Sequence, residues 1–256
     1  MNEADLTRDD FLGGRITLAQ PRRGYRAGID PVLLAASVTA RDGQAVLELG
    51  CGVGAAALCL AARVPGLSLT GLERDPSYAG LARRNAEANK LPLKVVEGDL
   101  ANIPTDLRQR RFDLVLMNPP YYDRGRGSRA PNPMREVALG EETPLSAWIV
   151  AAARRLLPGG YLHVIQRADR LGALLAALDA RAENRLGSVQ VMPLLPRPGR
   201  DARLVLLRAR KEGRAPLRLH AGILLHPEGE HPGDRENYTK SISSVLRDGA
   251  QLEFPR

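Results

Sequence analysis

From residue 45 onward the chain alternates short apolar runs with helix-length segments, a pattern that very few folds accommodate. Residues 45–49, 68–72, 93–97, 111–117 and 161–165 read as strands, and residues 55–62, 76–89, 144–157 and 170–181 as helices. Strands joined through helices run parallel, and the helices cover both faces of the sheet they form. Residues 188–194 and 202–207 flank Pro196-Arg197-Pro198-Gly199-Arg200-Asp201 and suit an antiparallel hairpin at the sheet edge. The expected fold is therefore α/β, a doubly wound, mostly parallel sheet of seven strands.

Both ends of the chain depart from the alternation. At the start, Gly13-Gly14 between apolar runs suggests a hairpin, followed by a glycine-punctuated loop over residues 21–29. Asp30 is expected to cap a helix with Pro31 in its first turn, which makes the loop before it a favourable place for a carboxylate or phosphate. At the other end, an added strand over residues 217–226 and a short helix over 237–247 are expected. The resulting division is 1–40 as hairpin, capping loop and helix, 41–210 as core, and 211–256 as an extension packed on it.

Within the core, the apolar run at Leu116-Met117 stops abruptly at Asn118-Pro119-Pro120-Tyr121. An exocyclic amine on a planar base is a poor nucleophile, because its lone pair is delocalised into the ring. Two acceptors aimed at its two N–H bonds draw the nitrogen toward a tetrahedral geometry and stabilise the charge it develops. The Asn118 side-chain carbonyl and the Pro119 backbone carbonyl can supply them, held in advance by two ring-locked prolines. Tyr121 offers a flat face for a base to stack on.

Other features converge on the same sheet edge, where ligands bind in such folds. The first strand runs into Gly50-Cys51-Gly52-Val53-Gly54, whose glycines permit a tight turn and close approach of a ligand to a helix N-terminus. Glu73 ends the second strand at the position of a ribose-binding acid. Asp99 follows the third, placed to accept from an adenine amine.

The stretch Val46-Leu47-Glu48-Leu49-Gly50-Cys51-Gly52-Val53-Gly54 resembles the first motif of class I S-adenosylmethionine-dependent methyltransferases, and Asn118-Pro119-Pro120-Tyr121 resembles their amino-methylating motif. Phe11-Leu12-Gly13-Gly14-Arg15, Gln20-Pro21-Arg22-Arg23-Gly24-Tyr25-Arg26 and Asp30-Pro31-Val32-Leu33-Leu34 are similar to the N-terminal segment of bacterial tRNA adenine-N6 methyltransferases that act beside the anticodon of valine tRNA. Asn237-Tyr238-Thr239 is similar to their tail. The resemblance implies S-adenosylmethionine as cofactor, with Gly50, Gly52 and Gly54 at its methionine portion and Glu48 near its amino group. Glu73 is then at the ribose, Asp99 at the adenine amine and Leu100 beside the ring. It further implies that Tyr25, Arg26 and Gly28 close over the methionine end, and that Asn118, Pro119 and Tyr121 act on the acceptor base with Pro120 beside it.

Charge and composition bear on partners. The formal net charge is +8, carried almost wholly by Arg, whose planar fork suits phosphate. Arg124, Arg126 and Arg129 stand in a Gly- and Pro-rich loop directly after the acceptor motif, so RNA, with tRNA favoured, is the expected partner. No apolar run approaches the ~20 residues of a membrane span, and the polar N-terminus lacks a signal-peptide pattern, so a cytoplasmic location is expected. Cys51 and Cys59 are the only cysteines, too few for a four-ligand zinc site, and no metal is expected. Other readings stay open. An NAD-dependent dehydrogenase shares the glycine pattern and Glu73, a non-catalytic RNA-binding module shares the charge, and guanine N2 in rRNA, adenine N6 in DNA or a protein glutamine would also suit the Asn-Pro-Pro-Tyr motif.

Overall fold

The computed structural model describes residues 2–123, 140–141, 143–179, 185–229 and 237–255. An antiparallel hairpin, β1 (Leu6–Phe11) and β2 (Ile16–Pro21), precedes helix α1 (Asp30–Ser37). There follow β3 (Ala45–Leu49), α2 (Ala55–Arg63), β4 (Ser68–Glu73), α3 (Pro76–Ala88), β5 (Leu93–Glu97), the short α4 (Thr105–Arg108) and β6 (Phe112–Met117). Two-residue strands β7 (Tyr122–Asp123) and β8 (Gly140–Glu141) pair with each other. Then come α5 (Leu145–Arg155), β9 (Leu156–Arg167), α6 (Leu171–Asp179), β10 (Leu186–Leu195), β11 (Leu204–Lys211), β12 (Arg218–Leu219), β13 (Ile223–Leu224) and α7 (Lys240–Asp248).

The expected seven strands form one sheet in the order β10-β11-β9-β6-β3-β4-β5, and β12 and β13 add short parallel segments to β10. β3, β4, β5, β6 and β9 are parallel, and β11 is antiparallel to both of its neighbours. Side chains alternate between two cores, as the period of two demands. Val46, Leu114, Leu116 and Ile165 face α1, α2, α3 and α7, whereas Leu47, Val115, Met117 and Val164 face α4, α5 and α6.

The hairpin is tied to the core through polar side chains of α3. Asn85 Oδ1 accepts from Ala19 N at 2.8 Å and its amide nitrogen donates to Ala19 O and Val53 O. Asn89, one turn later, makes the same two-way pairing with Thr17. Residues four apart share a helix face, so the two asparagines act as a substitute strand for the free edge of β2.

Four local expectations change. Asp30 does not cap α1: it is the first helical residue, Ile29 occupies the cap position, and no side-chain capping bond forms. Its carboxylate is engaged instead by the distant Tyr121 hydroxyl. The helix expected over 144–157 stops at Arg155, and β9 starts at Leu156, pairs with Phe112 before an irregularity in register, and contains Pro158-Gly159-Gly160. Gly159 has φ +78°, and a Cβ on Gly160 would stand 2.6 Å from Asp113 O, so only glycine allows β9 to kink back onto β6. The added strand over 217–226 is two fragments, because Gly222 sits against Leu195 with no room for a side chain, and Leu217 and Leu219 are exposed rather than facing a core. The last helix begins at Lys240, where the Thr239 hydroxyl accepts from Ile242 N, since the Asn237 carbonyl is taken by His226 Nδ1 at 2.6 Å.

Candidate active site

Register places the site. Leu49 is level with Leu72 on one side and Met117 on the other, and Glu73 is level with Glu97. The residues that follow each strand, Gly50, Gly98-Asp99 and Asn118, therefore emerge together with Glu73 at one carboxyl edge of the sheet.

The glycine loop folds over β4, with Gly50 N and Cys51 N both donating to Leu72 O at 2.8 and 3.0 Å. Gly50, Gly52 and Gly54 all have positive φ, and a Cβ on Gly50 would stand 2.6 Å from the Trp148 ring. The Glu73 carboxylate is aimed back at the loop, accepting from Gly52 N at 2.8 Å and from Asp75 N at 2.9 Å. Glu48 is buried beneath α2, where its carboxylate accepts from Ala57 N at 2.8 Å in the helix's first turn. Burial raises its pKa to about 8, with Glu73 adding to the rise and the Ala57 N–H opposing it. Asp99 accepts from Ala101 N at 2.8 Å, and Leu100 packs half-buried on the second core.

The loop before α1 covers the glycines. Gln20 closes it by pairing with Ala27 in both directions, at 2.8 and 3.2 Å. The Tyr78 hydroxyl donates to Tyr25 O at 3.0 Å. The Tyr25 ring then lies 3.6 Å from where a Cβ on Gly52 would stand. Burial, followed by the charges of Asp30, Glu48 and Glu73, raises the Tyr25 pKa, so its hydroxyl stays protonated. Arg26 points elsewhere: it pairs with Asp9 at 2.8 Å and donates to the Thr7 hydroxyl and Pro21 O, which fastens the loop to the hairpin. Gly28 is exposed with open space around it.

Asn118 stands at the end of β6 with its Oδ1 buried and, among the described residues, without a hydrogen-bond partner. A buried acceptor left unpaired costs about 1–3 kcal/mol, so such an atom marks a place kept for a donor. The carbonyl of the next residue, Pro119 O, accepts from Gln166 Nε2 at 3.3 Å, and a carbonyl has a second lone pair that can serve another donor. Pro120 is half-buried. Tyr121 is held by its hydrogen bond to Asp30, and burial with the Asp30 charge raises its pKa while Asn118 opposes the rise. Burial likewise raises the Asp30 pKa, against the Tyr121 hydrogen bond.

A family model described as the methyltransferase small domain matches residues 28–175. This chain belongs to that family. It is 36% identical over 196 residues to a tRNA1(Val) (adenine(37)-N6)-methyltransferase of Porphyromonas gingivalis, covering 72% of this chain and 76% of the relative. The enzyme of the same name from Actinobacillus succinogenes is 29% identical, covering 79% and 84%. Among solved structures, a predicted O-methyltransferase from Agrobacterium tumefaciens superposes with a TM-score of 0.71 at 27% identity, covering 89% of this chain and all of that one.

Two residues of this methyltransferase site carried no motif signal. Gln166 is fully buried at the end of β9, its amide nitrogen on Pro119 O and its Oε1 accepting from Arg167 N at 2.8 Å. Asp30 was read as a helix cap. A polar residue ending an apolar strand next to β6 was the available hint for Gln166. Cys51 and Cys59 are buried, and burial raises both thiols, so neither is a nucleophile. Cys51 packs on Gly71, where a Cβ would meet its sulfur at 2.6 Å. His163 is buried and neutral, its pKa lowered to about 3 by burial and by Arg208 and Arg63, as suits a structural residue. Arg124, Arg126 and Arg129 lie outside the described residues. Among the described residues, no cluster of His, Cys, Asp and Glu is suited to a metal ion, and no helix is long and apolar enough to cross a membrane.

Proposed function

We propose that this methyltransferase moves the methyl group of S-adenosylmethionine to the N6 amine of an adenine in tRNA. The observation that supports this most directly is the unpaired, buried Oδ1 of Asn118 beside the Pro119 carbonyl. The adenine-N6 names of relatives that match most of the chain support the choice of amine and of RNA.

The residues present fit the cofactor. Gly52 lies under the Tyr25 ring, Gly50 has no room for a side chain beside Trp148, and Glu73 and Asp99 bring acidic side chains to the same edge, as a cationic sulfonium and ammonium favour. Glu73 would hold the ribose hydroxyls, Asp99 would accept from the adenine amine, and Leu100 would pack by that ring. When bound, S-adenosylmethionine supplies an electrophilic methyl group on a positively charged sulfur. The chain's own part lies on the other side of the reaction. Asn118 Oδ1 and Pro119 O accept from the two N–H bonds of the target amine, draw its lone pair out of conjugation and stabilise the charge that develops. The target base is turned out of the RNA and stacks on Tyr121, at an unstacking cost of a few kcal/mol, about the usual range. Direct displacement needs no covalent enzyme intermediate.

The test is incubation of the purified chain with labelled S-adenosylmethionine and, in separate reactions, unmodified tRNA, rRNA, DNA and protein, followed by hydrolysis and chromatography. N6-methyladenosine from tRNA is the expected product. Label confined to guanine or glutamine, or thermal stabilisation by NAD in place of S-adenosylmethionine, would overturn the proposal.

A further inference from the structure

Along the sheet away from Asn118, the carboxyl edge is bordered by arginines, because β9 ends at Arg167 and the turn between β10 and β11 carries Arg197, Arg200 and Arg203. β9 is level with β6 at Met117↔Val164 and runs three residues further, to Arg167. At about 3.3 Å per residue, its end stands some ~10 Å above the floor on which Asn118 begins. Arg167 is level with Leu204 of β11, which is level with Leu194 of β10, so the β10–β11 turn rises on the same side. Neighbouring strands are about 4.8 Å apart, which puts this turn roughly 10–15 Å along the edge from β6. The edge beyond the pocket is therefore a wall carrying Arg167, Arg170, Arg197, Arg200 and Arg203 against Asp169 and Asp201.

These arginines divide into holders and free heads. Arg167 is chelated by Asp169, at 3.0 and 2.5 Å. Arg197 donates to Pro227 O at 3.0 Å and Gly229 O at 2.7 Å, fastening the turn to the segment after β13. The turn is braced by its backbone too: Arg200 N donates to Arg197 O, Arg203 N to Leu194 O, and Ala168 N to Arg203 O at 2.9 Å. Arg200 and Arg203 are exposed and, among the described residues, make no ion pair or side-chain hydrogen bond. Two guanidinium groups on a braced turn lose little backbone entropy on binding, unlike cations on a long loop.

Resting on the tRNA reading above, we infer that the β10–β11 turn, through Arg200 and Arg203, is a docking surface for the phosphate backbone of the RNA whose base occupies the Asn118 pocket. A nucleic-acid strand advances about 3.4 Å per nucleotide when stacked, and the ~10 Å rise and the lateral offset of roughly 10–15 Å combine to about 14–18 Å, which corresponds to phosphates roughly four or five nucleotides from the flipped base. Guanidinium suits phosphate in paired hydrogen bonds, and such contacts position the RNA without reading its sequence.

The experiment compares two double substitutions that remove equal charge. Arg200→Gln with Arg203→Gln acts at the wall. Arg111→Gln with Arg154→Gln acts on exposed arginines at the opposite, amino edge of the sheet. Binding of unmodified tRNA is measured by fluorescence anisotropy across a salt series, together with methyl transfer and S-adenosylmethionine affinity for each full-length protein. The wall variant should bind tRNA about tenfold more weakly at ~0.1 M salt, with the log–log salt slope smaller by roughly 1.5 to 2. Its turnover at saturating tRNA and its cofactor affinity should be unchanged, and the amino-edge variant should stay within about twofold of wild type. Unchanged tRNA binding in the wall variant, or equal losses in both variants, would overturn the assignment, as would tighter binding of polyglutamate than of tRNA by wild type. Wild-type chain that binds tRNA through the wall but transfers no methyl to it would sink the proposed function and leave the docking surface standing.

Discussion

The two ends of one sheet differ in what their strands release into solvent. At the carboxyl edge β3, β4, β5 and β6 end in glycine, Glu73, Asp99 and Asn118, and the buried groups there are acids or an unpaired acceptor. At the amino edge the strands are entered through Arg110, Arg111, Arg154 and Arg155. Arg155 is buried there with one nitrogen donating to Leu107 O, and burial together with Arg111, Arg154 and Arg108 lowers its pKa to about 10. Each edge has a buried polar atom with no hydrogen-bond partner among the described residues, Asn118 Oδ1 at the carboxyl edge and Arg155 Nε at the amino edge, but only the first is an acceptor, able to take an amine N–H. The amino-edge cations tie loops and cover core, as long arginines do when they bury their stems, whereas the carboxyl-edge acids hold backbone N–H groups at the strand ends and the glycine loop.

That contrast is broken most easily at Asn118. Asn118→Ala should lower methyl transfer by roughly a hundredfold or more, by analogy with loss of one preorganised polar group, while S-adenosylmethionine binding by calorimetry changes little. Turnover equal to wild type would remove Asn118 from the reaction.

Gln166 comes next. Gln166→Ala frees Pro119 O and leaves Arg167 N unpaired, so turnover should fall about tenfold and stability by about 1–3 kcal/mol. A stability loss without any change in turnover at saturating substrates would make Gln166 a packing residue only.

Glu48 tests the acidic side of the edge. Because folding raises its pKa from 4.5 to about 8, the folded chain keeps a proton that the unfolded chain has released. Its contribution to stability is full below about pH 4.5 and is lost as pH rises toward about 8. Glu48→Gln should flatten that decline and leave the ligand-free variant more stable than wild type at pH 9, by on the order of a few kcal/mol. Urea unfolding at pH 5, 7 and 9 reads this directly; parallel pH profiles for the two proteins would show that Glu48 is ionised throughout. The smallest effect belongs to the amino edge itself, where Arg111→Gln should shift melting by no more than a degree or so, as surface substitutions do.

The architecture was legible because it rests on period and punctuation. Alternating strands and helices, the glycine loop, and the acids that follow β4 and β5 are local signals, and each emerged where the spacing put it. Elements whose boundaries depend on distant contacts were not legible. The helix expected over 144–157 stops two residues early, and Pro158-Gly159-Gly160 proves to be a kink that lets β9 reach β6. The strand after residue 217 is split because Gly222 must fit against Leu195.

Chemistry divides in the same way. The amino acids themselves determine that an amide and two prolines end β6, that glycines line one loop, and that charge is carried by arginine, since these follow from residue type and spacing. Tertiary structure alone decides that Asn118 Oδ1 is unpaired while Pro119 O is met by Gln166, that Asp30 serves Tyr121 rather than its own helix, and that Arg26 fastens a hairpin. Hydrogen-bond partners and burial belong to pairs of residues far apart in the chain, and only folding brings such pairs within reach.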